Sequence, residues 1–170
     1  MTFDAAIENA PKVGIEITDF GMEHEPECIK KYYEGCATLA DMARKAASME
    51  GVDFLSFRME GGDPNGANKS TEELIGELKE IADAVDLPLV VCGCKNVEKD
   101  AELFSKAAEA LNGKNAVILS AKEENYKTVG AAAGLAYKQV VGAESAVDIN
   151  LAKQLNVLIS QLGVDSKSVV

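Results

Sequence analysis

The sequence predicts an α/β protein built on a parallel sheet, because short apolar runs alternate with helical patterns five times along the chain. The run 87–94, LPLVVCGC, is nearly all apolar, as expected of a strand covered on both faces. The segment 71–85 places its apolar residues on one helical stripe. We therefore predict a single domain over 1–170, beginning with an N-terminal arm at 1–12.

The individual elements follow from these patterns in chain order. Five runs have the composition of strands: 13–20, 52–59, 87–94, 115–121 and 138–145. Five segments have the apolar spacing of helices: 36–49, 71–85, 96–111, 124–137 and 149–163. The last residues, SKSVV, predict the first half of a sixth strand. This pattern is compatible with a doubly wound open sheet or with part of a (β/α)8 barrel, since eight units typically need about 250 residues.

Composition and charge exclude several classes of partner. The chain has 17 Lys and Arg against 28 Asp and Glu, and its net charge of −11 repels phosphate backbones, so we expect no nucleic-acid partner. No run of about 18 apolar residues is present, so we expect no membrane span. The N-terminus lacks the basic start and apolar stretch of a signal peptide, which predicts a cytoplasmic protein.

Motifs for nucleotides, metals and nucleophilic catalysis are absent from the sequence. Neither G-x-G-x-x-G nor a P-loop occurs. The cysteine spacings, C-x7-C and C-x-C, match neither a zinc ribbon nor a ferredoxin-type cluster, so we predict no metal site. On a strand, Cys92 and Cys94 would point to the same face. The single histidine, His24, lies in an acidic loop, and we assign no catalytic residue.

Polar residues collect where the predicted strands end, which is where parallel α/β folds carry their function. Amides, hydroxyls and carboxylates predominate there, with few basic groups, and the candidate binding residues are Asp63, Asn65, Asn68, Asn96, Ser120, Ser145, Asp148 and Asn150. Amides both donate and accept hydrogen bonds, so this rim suits an amide-rich ligand. Helix capping is the alternative use, with Asn96 and Asp148 as N-caps and Ser120 pairing with Glu123 in a capping box.

The loop 60–69 is longer and richer in glycine and asparagine than capping requires. Its glycines permit a close approach of the backbone to a ligand. The alternative is an asparagine-rich loop that only closes one end of the fold. We predict that this loop forms part of the binding rim.

Four passages, DPNGANKSTEE, VVCGCKNVEKD, ENYKTVGAAA and VDINLAKQLNVLI, occur in an order and spacing that resemble one family. This family is the small, or delta, subunit of the corrinoid iron–sulfur protein in the acetyl-CoA decarbonylase/synthase complex of anaerobes. The resemblance runs from about residue 11 to the C-terminus. It implies a TIM (β/α)8 barrel. Family members are longer than this chain, which would then be a fragment or shortened form with five to six β/α units.

The resemblance also implies a function in one-carbon metabolism. The small subunit pairs with a large subunit that carries a [4Fe–4S] cluster, and the two share a corrinoid (cobalamin). A methyl group passes from methyl-tetrahydropterin, delivered by a pterin methyltransferase, to acetyl-CoA synthase, as in carbon fixation by the Wood–Ljungdahl pathway. The eight rim residues would face the corrinoid, and no metal cluster is expected in this chain.

Two rival functions stay open at the level of sequence. One is a pterin-dependent methyltransferase that acts on a corrinoid protein, with Asp63, Asn65 and Asn150 holding the pterin. The other is an unrelated binding module on an open sheet. A non-catalytic subunit is favoured over an independent methyltransferase because no residue stands out as the general acid that methyl transfer from a tertiary amine requires.

Overall fold

A computed structural model describes residues 10–170, so most of the predicted arm 1–12 lies outside the described residues. Five strands form one parallel sheet in the order β1-β2-β3-β4-β5. The strands are β1 Gly14–Thr18, β2 Phe54–Arg58, β3 Leu89–Cys92, β4 Ala116–Ala121 and β5 Val140–Ala143. This consecutive order confirms the predicted succession of β/α units and differs from the reversing order of doubly wound sheets.

The helices connect the strands, and all but the first of them form one continuous layer. They are α1 Glu27–Tyr32, α2 Leu39–Ala47, α3 Thr71–Ala84, α4 Val97–Ala110, α5 Tyr126–Val129 and α6 Ile149–Gln161, with α5 continuing as a π-helix over Gly130–Ala136. Neighbouring helices pack in sequence, α2 on α3, α3 on α4, α4 on the π-helix and α5 on α6. A sheet in consecutive order with its helices in one layer is compatible with part of a barrel.

Side-chain caps begin the longer helices where the sequence places them. Thr38 and Asp41 form a capping box at α2, and Ser70 accepts a hydrogen bond from the Glu73 N–H at α3. Asn96 accepts from the Lys99 N–H at α4, and Asp148 accepts from two N–H groups at α6. Both predicted N-caps are therefore confirmed, and each typically stabilises its helix by about 1 kcal/mol.

The hydrophobic core lies between the sheet and the helix layer. Leu55 and Phe57 of β2 are buried there, as are Val91, Ile118 and Val141 of the following strands. Side chains alternate between the two faces of a strand, so Ser56 and Arg58 point away from this core. The two faces of the sheet are thus chemically different, and the face opposite the core carries polar residues.

Three segments differ from the sequence prediction. The short helix α1 was not predicted, because it buries none of its residues and therefore has no apolar stripe. The segment 124–137 is part α-helix and part π-helix rather than one regular helix. The predicted sixth strand is reduced to a bridge in which Val169 pairs in parallel with Val141, following a 3₁₀ turn at Ser166–Ser168.

Among the helices of residues 10–170, none combines the length and hydropathy that crossing a membrane requires.

Candidate functional site

A cleft of about 450 Å³ opens at the carboxyl ends of β2 to β5. Ten residues from these four strand ends, the loops after them and the first turn of α4 line it: Arg58, Cys92, Gly93, Lys95, Asp100, Leu119, Ser120, Lys122, Ala143 and Glu144. This is the edge of a parallel sheet at which α/β proteins bind their ligands. It is therefore the candidate site of the molecule.

Ser120 and Glu144 join two adjacent strands across the cleft. The Ser120 hydroxyl donates a hydrogen bond to the Glu144 carboxylate, and the Lys122 Nζ lies 3.8 Å from the same carboxylate. Ser120 belongs to β4 itself, so its hydroxyl meets the neighbouring strand end and not the backbone of the next helix. The predicted capping box of Ser120 with Glu123 is therefore wrong.

Arg58 forms the wall of the cleft on the β2 side. Its Nε and Nη2 donate to the two Glu16 carboxylate oxygens at 3.0 and 2.9 Å, a bidentate pair that raises the pKa of the Arg58 guanidinium. Ser56 donates to the same carboxylate at 3.3 Å. Cys92 lies 3.5 Å from the Ser56 hydroxyl, and burial raises the pKa of the Cys92 thiol.

Asp100 is a buried carboxylate that holds the loop between β3 and α4. It accepts hydrogen bonds from the Cys94 N–H at 2.7 Å, the Lys95 N–H at 3.1 Å and the Cys94 thiol at 3.2 Å. Burial raises the pKa of Asp100 and raises the pKa of the Cys94 thiol to about 11. A side chain at Gly93 would overlap with the Asp100 carboxylate, so this close contact requires glycine.

Cys92 and Cys94 do not share a face, contrary to the prediction. The strand β3 ends at Cys92, and the chain then turns through Gly93 to Lys95, whose φ is +72°. Cys92 lines the cleft, whereas Cys94 belongs to the hydrophobic core. All four cysteines are free thiols.

The glycine- and asparagine-rich loop 60–69 is anchored outside this cleft. The buried Asp19 carboxylate at the end of β1 accepts two contacts from the Gly61 N–H, at 2.9 and 3.1 Å. Lys69 Nζ lies 3.1 Å from the same carboxylate and donates to Glu77 at 3.1 Å. A side chain at Gly61 would overlap with the Asp19 carboxylate. These contacts fasten both ends of the loop to β1 and α3.

Within the loop, Asp63 organises a tight turn. Its carboxylate accepts from the Asn65 N–H at 2.9 Å, and its carbonyl accepts from the Gly66 and Asn68 N–H groups at 2.9 and 3.1 Å. Asn68 has a φ of +51°, in the left-handed region that asparagine tolerates better than most residues. The turn leaves Asn65 and Asn68 exposed at the carboxyl edge of the sheet.

Of the eight predicted binding residues, only Ser120 lines the cleft. Asp63, Asn65 and Asn68 lie in the β2–α3 loop, while Asn96 and Asp148 cap helices. Ser145 donates to the Asp148 carbonyl at 2.9 Å, and Asn150 is exposed in the first turn of α6. All eight lie at the carboxyl ends of strands or just beyond them, and their contact with a ligand stays a prediction.

The sequence prediction missed the basic residues of the cleft. It expected few basic groups at the rim, but Arg58, Lys95 and Lys122 all line the cleft. Arg58 is the last residue of β2, on the face opposite Phe57, so strict strand alternation was the signal that could have identified it.

The fold and the cleft define an α/β protein whose candidate site lies at the carboxyl edge of a parallel sheet. The family comparison is more specific. The model of the family "CO dehydrogenase/acetyl-CoA synthase delta subunit" matches residues 1–170, and the chain belongs to this family.

Curated relatives agree with this assignment. The chain is 30% identical over 170 residues to the delta subunit of the acetyl-CoA decarbonylase/synthase complex from Methanothermobacter thermautotrophicus, covering 99% of this chain and 43% of the relative. The delta subunit from Methanocaldococcus jannaschii is 29% identical, covering 99% and 42%. That from Methanopyrus kandleri is 34% identical over 131 residues, covering 76% and 32%. The resemblance found in the sequence is confirmed, and the chain spans less than half the length of these relatives.

Proposed function

We propose that this chain contributes a non-catalytic wall to a corrinoid site that it shares with a large subunit carrying cobalamin and a [4Fe–4S] cluster. In this role it helps to hold the corrinoid while a methyl group passes from methyl-tetrahydropterin to acetyl-CoA synthase. The observation that carries the proposal is membership of the delta-subunit family along the whole chain. The polar residues at the carboxyl ends of the strands, with their exposed side-chain amides, support the proposal.

The rim residues present suit a corrinoid, whose periphery is rich in amide side chains. Asn68 and Asn150 are exposed, and within residues 10–170 their side-chain amides form no hydrogen bond that would have to be broken. Asn65 keeps only a 3.3 Å contact from its amide nitrogen to Asp63. These three amides can donate and accept at once, so they are the residues that would hold the corrinoid periphery.

The assignment of the iron–sulfur cluster to the partner is also a proposal. Among the residues that the structure describes, no group of three or more His, Cys, Asp and Glu side chains is placed to hold a metal ion. Cys92 and Cys94 lie in different environments, one in the cleft and one in the core. The separation of these two cysteines supports the proposal that the [4Fe–4S] cluster belongs to the large subunit.

We also propose that the five strands are part of a TIM barrel. The strands follow one another in consecutive order, and the helices pack in one layer. Curated relatives are more than twice as long as the matched region, which leaves length for further β/α units. The polar sheet face that carries Glu16, Ser56 and Arg58 would then point toward the barrel interior.

A pterin-dependent methyltransferase is the second candidate, and Asp100 is the observation that favours it. A carboxyl with a raised pKa in a cleft is a candidate general acid for activating a tertiary amine. However, Asp100 already accepts hydrogen bonds from two backbone N–H groups and one thiol, and hydrogen bonds to a carboxylate favour its charged form. We therefore assign Asp100 to loop support and retain the non-catalytic function.

Exposed amide variants test the proposed function. Asn68→Ala and Asn150→Ala should each weaken corrinoid retention in the complex with the large subunit roughly fivefold, because one net hydrogen bond is worth about 1 kcal/mol. The matched control is Asn112→Ala, an exposed asparagine between α4 and β4 at the opposite edge of the sheet. Retention that falls equally in all three variants would contradict the proposal. Methyl transfer to free cobalamin by the isolated chain would instead establish the methyltransferase.

A further inference from the structure

The cleft at the ends of β2 to β5 is richer in basic residues than the molecule as a whole. The chain as a whole has 17 basic and 28 acidic residues, yet the cleft is lined by three basic residues, Arg58, Lys95 and Lys122, and two acidic ones. We infer that this cleft binds the oxyanion of a small molecule, with a phosphoryl group as the matching chemistry. This inference concerns a different set of residues from the exposed amides and does not rest on the proposed corrinoid function.

The basic groups of the cleft retain donors for such a ligand. Arg58 uses its Nε and Nη2 on Glu16, which leaves Nη1 for a second acceptor. Lys122 lies 3.8 Å from Glu144, beyond hydrogen-bond distance. Lys95 is exposed, and its ammonium forms no ion pair with another residue in the described range 10–170. Hydrogen bonds from arginine or lysine to phosphate oxygens are charge-assisted and roughly twice as strong as those between neutral groups.

The backbone that carries Lys95 is fixed by Asp100. The carboxylate accepts from the Cys94 and Lys95 N–H groups, and Gly93 lies against it without a side chain. The backbone of Lys95 is therefore held in place at the cleft. Its hydrogen bond to Asp100 keeps it in the left-handed conformation. The direct hydrogen-bond donors to the Asp100 carboxylate are two backbone N–H groups and a thiol, so it forms no direct ion pair with a cleft lysine.

Glu144 is the internal competitor for this site. Its carboxylate accepts a hydrogen bond from the Ser120 hydroxyl and lies 3.8 Å from the Lys122 Nζ. An oxyanion in the cleft would contact the same two groups. A bound phosphoryl group must compete with Glu144 or tolerate its negative charge. Removal of this charge should therefore strengthen oxyanion binding, which distinguishes a built site from a general attraction to lysines.

Isothermal titration calorimetry of the full 170-residue chain with inorganic phosphate at low ionic strength tests the inference. Wild type should bind saturably, Lys122→Gln should bind roughly tenfold more weakly, and Glu144→Gln should bind more tightly. The matched control is Lys79→Gln, an exposed lysine of α3 outside the cleft, which should not change the affinity. Far-UV circular dichroism of each variant shows that the fold is retained.

Three results would overturn the assignment: no saturable binding to folded wild-type chain, equal losses in Lys122→Gln and Lys79→Gln, or weaker binding in Glu144→Gln. Tighter binding of acetate than of phosphate would overturn the phosphoryl chemistry. A phosphoryl group could belong to a phosphodiester within a larger cofactor or to a free phosphate or monoester, and titration with dimethyl phosphate distinguishes these two sources. Binding as tight as that of inorganic phosphate indicates a diester within a larger cofactor, whereas binding of inorganic phosphate alone indicates a free phosphate or monoester, and either result supports the oxyanion site.

Discussion

Two buried carboxylates, Asp19 and Asp100, hold the strand-end loops of this protein in closely similar ways. Each residue is 5% exposed, and each carboxylate accepts backbone hydrogen bonds from a loop: Asp19 from the Gly61 N–H, and Asp100 from the Cys94 and Lys95 N–H groups. Each lies against a glycine, Gly61 or Gly93, where no Cβ would fit. The difference is their counter-charge. Asp19 is paired with Lys69 at 3.1 Å, whereas Asp100 has only neutral donors and lines the cleft.

This difference in counter-charge distinguishes the loop 60–69, which is tied down by an ion pair, from the loop after β3, which borders the cleft. Around Asp19, a lysine fills the space next to the carboxylate and ties the long loop to α3. Around Asp100, the lysines remain on the cleft surface. The long loop 60–69 has the more conspicuous composition, but the short loop after β3 borders the cleft. Loop composition alone is therefore a poor guide to the position of the cleft.

Removal of the Asp19 carboxylate should have the largest effect on stability. Asp19→Ala leaves Lys69 and the Gly61 N–H without their shared partner in a buried position, which typically costs about 3 kcal/mol. Urea unfolding measures this loss. The control is Asp53→Ala, which breaks the exposed pair with Lys12 and should lose much less. Similar losses in both variants would show that the Asp19 pair has no special structural role.

Alanine in place of either glycine that contacts a buried carboxylate should destabilise the protein. Gly61→Ala and Gly93→Ala each force a methyl group into a carboxylate, so each should lower the free energy of unfolding by about 1–3 kcal/mol. The loss should be larger at Gly61, because Lys69 restrains Asp19. Gly76→Ala, in open space on α3, should instead stabilise the protein by about 0.5–1 kcal/mol. Unfolding midpoints that are unchanged at both Gly61 and Gly93 would contradict the close contact.

The pH dependence of stability should separate Asp100 from an ordinary carboxylate. Burial raises the pKa of Asp100 in the folded state, so between the usual pKa and the raised value the folded protein binds more protons than the unfolded chain. The contribution of Asp100 to stability is therefore fully present below the usual pKa and is lost as pH rises through the raised value. The stability of wild type relative to Asp100→Asn should fall across this window. A relative stability that rises with pH would contradict the shift.

The last difference concerns the reactivity of two cysteines in the wild-type protein, and it involves no change in stability. The Cys94 thiol has a pKa of about 11 and is buried, so at pH 8 roughly one molecule in a thousand carries the thiolate there. Cys28 is exposed. Peptide mapping after brief treatment with iodoacetamide should find Cys28 modified long before Cys94. Equal labelling of the two under native conditions would show that the Cys94 environment is open.

The regular elements could be predicted because each has its own periodicity. The apolar stripe predicts a helix at 71–85, and α3 is observed at Thr71–Ala84. Residue type alone identifies the caps Asn96 and Asp148. The cleft could not be predicted in the same way. The Ser120–Glu144 contact depends on the pairing of β4 with β5, whose register shifts between Leu119 and Ala121. A local pattern contains no record of such a shift, so it could not show which side chains meet across the two strands.

The most direct measurement for the proposed function is the absorption spectrum of the corrinoid. The cobalamin-loaded large subunit is titrated with this chain, and free cobalamin is titrated in parallel. We expect a saturable spectral change with the large subunit, and a smaller one in Asn68→Ala and Asn150→Ala. Free cobalamin should bind only weakly, because this chain forms one wall of the site and its contacts alone must offset the loss of translational and rotational freedom. A spectrum of the loaded large subunit that does not respond to the chain, or an equally tight response of free cobalamin, would contradict the proposal.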